Sequence, residues 1–123
     1  MWGHILLEEP DFSTSRSLCG GSSGSKHVQD AIRSWFRSQG LDPVYGPSLP
    51  ASLESARFDI VEVAGECHLC RGGSDIASVM AASTEALWEK YVATGVASGR
   101  DVGAYLADVR KTDVWTSIAR LYA

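Results

Sequence analysis

His4-Ile5-Leu6-Leu7-Glu8-Glu9-Pro10-Asp11-Phe12 is the stretch on which the reading of this chain turns. The unbroken apolar run His4–Leu7 lacks the alternation of a half-exposed strand and suits a strand buried on both faces. Such a strand needs a neighbour on each side. Only Met1-Trp2-Gly3 precede it, so nothing upstream supplies one, and the chain reads as the second part of a larger sheet. Just past the C-terminal end of this strand lie Glu8, Glu9, Asp11 and Phe12, where open α/β sheets place their ligand crevices. These four are the substrate-binding candidates, set against the plainer reading of a solvated acidic turn.

The 123 residues, 45% of them hydrophobic, fit one modest domain or a piece of one and are few for a complete cofactor-binding α/β enzyme. A net charge of −4 without a basic cluster lacks the electrostatic footprint of a phosphate-backbone binder, so no nucleic-acid partner is expected. The apolar runs fall far short of the roughly 20 residues that span a bilayer, and no basic segment leads into a signal core. The expectation is a soluble, cytoplasmic protein without membrane contact. Three cysteines cannot close a disulfide framework and fit reduced thiols.

Residues 13–25, rich in Ser and Gly, read as a flexible loop. Val28, Ile32, Trp35 and Phe36 then recur at helical spacing, with Ser25 as N-cap and Gly40 as a left-handed stop. Pro50 opens a short helix through Leu53 to Ala56. Phe58–Val63, a turn at Ala64-Gly65 and Glu66–Arg71 read as an antiparallel hairpin. Ser74 caps a long helix whose apolar face is Ile76, Val79, Met80, Ser83, Leu87 and Tyr91, ending before Gly95. Ser98 and Asp101 have capping-box spacing ahead of Val102, Tyr105, Leu106 and Val109. Asp113 opens a final segment with Trp115, Ile118 and Leu121 at helical spacing, which makes the C-terminal third helical throughout. The aromatic residues Trp35, Phe36, Trp88 and Trp115 read as helix-face core.

Three segments carry a family resemblance that covers nearly the whole chain. They are Trp2-Gly3-His4-Ile5-Leu6-Leu7-Glu8-Glu9, Asp42–Pro50, and Phe58–Val63 with Arg71-Gly72-Gly73-Ser74. In this order they resemble the fifth strand, a subgroup-specific segment and the closing hairpin in the C-terminal half of class I S-adenosylmethionine-dependent methyltransferases. The resemblance implies a partial Rossmann-like methyltransferase fold over residues 1–123: one N-terminal strand plus an antiparallel hairpin, packed with four to five helices. It also implies the substrate-side half of an enzyme acting on a small molecule. The fifth strand would pair with a fourth, which has no counterpart here, and with the seventh.

The family's glycine-rich turn and the acidic residue that holds the ribose have no counterpart either. S-adenosylmethionine therefore enters by resemblance only, and the isolated chain is not expected to bind it. The expected partner is a complementary N-terminal half or, if the chain is a non-catalytic binding or dimerisation module, a second copy paired through the exposed first strand. No catalytic residue is assigned.

Two motifs tempt other readings. Cys67-His68-Leu69-Cys70 has zinc-ribbon and redox spacing, with Cys19, His4 and His27 as conceivable further ligands. On a strand its two thiols face opposite ways, and no second closely spaced pair completes four-coordination, so no metal site is expected. Gly20-Gly21-Ser22-Ser23-Gly24 matches a hydrolase nucleophile elbow, with Asp59 and His68 in order behind it. The elbow needs a strand immediately before it, and about a dozen loop residues intervene after Leu7. Lys26 beside this glycine-rich stretch lacks the Gly-Lys-Ser/Thr ending of a phosphate cradle.

Overall fold

The computed structural model describes residues 3–13 and 19–123. The chain runs through β1 (Glu8–Asp11), α1 (Ser23–Ser38), a 3-10 turn (Gly46–Ser48) leading into α2 (Leu49–Ser55), β2 (Ala64–Arg71), α3 (Asp75–Ala93), α4 (Gly99–Asp108) and β3 (Trp115–Tyr122). The three strands form an antiparallel sheet in the order β1-β3-β2, so the last strand is the central one. The described residues thus form an α/β arrangement of three strands and four α-helices.

The apolar core lies among the helices. Val28 and Ala31 of α1 meet Ala81 and Tyr91 of α3 and Val102 and Tyr105 of α4, all 6% exposed or less. Gly24 lets α1 approach α4, because a Cβ there would stand 3.1 Å from both Ala104 Cβ and Asp101 Cα. Ser74 and Ser98 cap α3 and α4 with their side chains, and Asp101 completes a reciprocal capping box with Ser98. Gly40 and Gly95 adopt φ of +76° and +74° beyond the ends of α1 and α3, as their positions in the sequence lead one to expect.

Several expectations are overturned. The first strand is not His4–Leu7 but the acidic Glu8–Asp11, so Glu8, Glu9 and Asp11 form the strand rather than follow it. Ile5, Leu6 and Leu7 are 53%, 75% and 38% exposed. Their ladder with the C-terminal strand ends at Leu7 and Ala123, which exchange backbone bonds of 2.8 and 3.1 Å, and β1 has a neighbour on one side only among the described residues.

The hairpin does not form. Phe58–Val63 lies outside any strand, the supposed turn residues Ala64 and Gly65 belong to β2, and β2 pairs with Trp115–Tyr122. That C-terminal segment is a strand, not a helix. Spacing by three is ambiguous over so short a run, whereas its β-branched and aromatic residues Trp115, Thr116, Ile118 and Tyr122 suit a pleated surface.

The Ser/Gly stretch is shorter than the expected loop, and residues 14–18 of it lie outside the described residues. Cys19 exchanges backbone bonds of 2.9 and 3.1 Å with Trp115, and α1 starts earlier than expected, with Ser22 at the N-cap position. Ser25 is a fully buried residue of the first turn. The buried face of α3 is Ala77, Ala81, Thr84 and Tyr91, with Met80 and Leu87 of the expected face packed against the core beside it, while Ile76, Val79 and Ser83 are exposed because small alanines permit close helix packing. Trp88 and Trp115 are 44% and 37% exposed rather than core, and Arg71 lies 4.6 Å over the Trp115 ring.

Candidate functional site

Where β1 ends, the sheet and the helices leave a cavity of about 310 Å³. Asp11 and Phe12 border it from the end of β1, and Ser117–Ala119 from the middle of β3. Helix α1 contributes Gln29, Ile32 and Phe36 on one face, because residues three and seven apart align along a helix. Met80, Thr84 and Leu87 of α3 and Tyr105 of α4 close the far side. Phe12 stacks at an angle on Phe36 with ring centroids 5.4 Å apart, which ties the strand end to α1.

The lining is mostly apolar and carries little charge. Asp11 is 9% exposed, and its two carboxylate oxygens accept from the backbone N–H (2.8 Å) and hydroxyl (2.7 Å) of Ser13, a turn of the Asx kind. Burial pushes the Tyr105 phenol up to about 12, partly offset by a hydrogen bond from the Thr84 hydroxyl, so it stays protonated. Burial also raises Tyr91. Gln29 is 3% exposed, and its amide has no hydrogen-bond partner among the described residues.

The four sequence candidates therefore separate. Asp11 and Phe12 border the cavity. Glu8 instead pairs with Arg120 at 3.2 Å, both side chains about half exposed, and Glu9 stands half-buried opposite Leu121. Sequence reading overlooked Gln29, Thr84 and Tyr105 as a polar set. The signal for Gln29 was available, since an amide at the same helical face as Ile32 and Phe36 interrupts an otherwise apolar stripe.

A second, larger groove of about 490 Å³ runs between Gly3–Leu6, Leu53 and residues 57–62. Exposed Phe58 (47%) and Val61 (82%) face solvent beside exposed Ile5 and Leu6. The loop leaves α2 through Arg57, whose φ of +67° places a non-glycine residue in the left-handed region.

The tempting motifs resolve into structural roles. Ser22, at the centre of the elbow-like stretch, gives its backbone N–H (2.6 Å) and hydroxyl (2.7 Å) to Asp108. Cys67 is exposed and Cys70 buried, on opposite faces of β2, and the three thiols are free. His27 meets Asp101 at 3.1 Å and His68 meets Glu66 at 3.0 Å. Among the described residues, no three His, Cys, Asp or Glu side chains converge as a metal site would require. No helix of the described residues is long and apolar enough to cross a membrane.

The nucleoside-holding features that the methyltransferase resemblance implies do not fit these residues. At the start of α1, where backbone N–H groups would meet an anionic or polar ligand, the Asp108 carboxylate already takes the Ser22 N–H and the Ser22 and Ser25 hydroxyls. No protein-family model matches the chain, and neither does any curated sequence.

Proposed function

We propose that this chain is the substrate-side half of a methyltransferase-like α/β domain acting on a small molecule, completed by a cofactor-binding half on the same reading frame or on a partner chain. The observation that carries this reading is the open edge of β1. No strand pairs with its outer side among the described residues, and the apolar Ile5 and Leu6 stand exposed beside Phe58 and Val61. β1 itself is short, acidic and carries Pro10, so the surface offered to a further chain is the apolar one beside it. The antiparallel contact of β1 with the last strand supports the same reading. It is the arrangement the resemblance implies for fifth and seventh strands, with Trp115–Tyr122 rather than Glu66–Arg71 in the seventh position.

On this reading the chain's contribution is to bind and orient the acceptor, with the cavity at Asp11 and Phe12 as the acceptor site; proximity and alignment then govern the rate. A second reading, a non-catalytic module that dimerises through β1, rests on the same open edge. The two separate by experiment. Co-expression with an in-frame, glycine-rich segment encoded upstream of Met1 should create S-adenosylmethionine binding by calorimetry that the chain alone lacks. Tight donor binding by a monodisperse lone monomer overturns the first reading. Light scattering that reports a symmetric dimer indifferent to the added half favours the second.

A further inference from the structure

We propose that the cavity between β1, α1 and α3 is a binding site for a small, flat, neutral molecule that is largely apolar and presents one hydroxyl or N–H group to the Gln29 amide. The proposal rests on the cavity itself and does not require methyl transfer. Its volume, about 310 Å³, stands at the lower end of the range that small ligands occupy.

Gln29 sets the chemistry. It is 3% exposed, held in the second turn of α1 beside fully buried Val28, and its amide has no hydrogen-bond partner among the described residues. No fully enclosed side-chain N or O there lacks a partner. The amide therefore keeps its residual accessibility, and the space it borders is the cavity. Facing the cavity, the amide meets solvent only there, and a ligand group that gives to Oε1 or accepts from Nε2 takes the place of that water.

The rest of the lining selects the ligand's shape and charge. Ile32, Phe36, Met80, Leu87 and Ile118 offer apolar and aromatic surface, with Met80 able to adjust to an aromatic ring. The Asp11 carboxylate is engaged by Ser13, and the Tyr105 phenol stays neutral, so neither attracts a charged ligand. No Lys or Arg borders the cavity among the described residues.

The test is an amide-shift NMR titration of the full chain with 2-naphthol and, separately, naphthalene. The expected result is saturable shifts at the Gln29 side-chain amide, Ile32, Met80 and Ile118, with 2-naphthol bound several-fold more tightly than naphthalene. Gln29→Leu should erase that preference while naphthalene affinity holds. Ser83→Trp, at an exposed position on the rim, should block both probes without disturbing the core. Equal affinity of the two probes for the unmodified chain overturns the proposal, as does a preference that survives Gln29→Leu. Shifts confined to the groove at Phe58 and Val61 overturn it as well, and this outcome needs no variant to fold.

Discussion

Asp108 is 2% exposed, yet its carboxylate is ionised because donors surround it. Burial on its own would raise its pKa, but the Lys111 ammonium at 2.8 Å, the Ser22 N–H and the Ser22 and Ser25 hydroxyls hold it well below the usual carboxylate range. An unfolded Asp titrates near about 3.9. The folded value is the lower one, so this group stabilises the fold fully above pH about 4 and loses that contribution as pH falls toward the folded value. Asp101, lowered to about 2 chiefly by the Ser98 hydroxyl and backbone, then by His27, has the same sign. We expect Asp108→Asn to cost about 2–3 kcal/mol in urea unfolding at pH 7, and to flatten the decline as pH falls below about 4. An unchanged pH slope would refute this account. Gly72→Ala should cost at least about 2 kcal/mol, because the new Cβ would fall 2.0 Å from the Lys111 carbonyl oxygen. Arg57→Gly should act oppositely and raise stability by about 0.5–1 kcal/mol, since only the left-handed strain at φ +67° is removed. Thermal melts of the two variants should shift in opposite directions.

Helices α3 and α4 were legible because their starts are written in short-range chemistry. Ser74 accepts from Ala77 N–H, and Ser98 with Asp101 forms the reciprocal pair that their spacing implies. Ser98→Ala should therefore cost about 1 kcal/mol, read as a lowered midpoint in urea with unchanged m-value. Strands were less legible, since each depends on a partner distant in sequence. Trp115, Ile118 and Leu121 share a helical stripe when read alone. Between β1 and β2 the segment instead aligns Trp115, Ser117, Ala119 and Leu121 on one face. Leu121 then fills the space over Gly65, whose Cβ would lie 2.8 Å from Leu121 Cδ2. That close fit favours the long-range pairing over the local hairpin. The candidate site shows the same division. Asp11 and Phe12 were candidates from their place after an apolar run and border the cavity, though the strand itself proved to be Glu8–Asp11. Gln29, Thr84 and Tyr105 come from different helices, and no local pattern joins them.

At the scale of the molecule, the helices close over an apolar core, while among the described residues β1 and β2 each have a strand neighbour on one side only. The α1, α3 and α4 contacts bury Val28, Tyr91 and Tyr105, while Leu6 and Val61 remain 75% and 82% exposed. An apolar surface of this kind drives association. Light scattering should show concentration-dependent association of the chain, and the double variant Leu6→Lys, Val61→Lys should abolish it while leaving the circular dichroism unchanged. A double variant that associates as before would separate the groove from any docking role.

Sequence alone determined four of the helices of this protein, the caps of α3 and α4 and the glycine stops after α1 and α3, because those follow from interactions a few residues apart. It also determined the mixed α/β composition and singled out Asp11 and Phe12, which border a cavity. Only tertiary structure decided which segments became strands, that the last one lies at the centre of the sheet, and that an amide from α1 opens into a cavity bordered by α3, α4 and the sheet. Pairing and burial across a hundred residues depend on which surfaces meet, and a one-dimensional pattern does not encode that meeting.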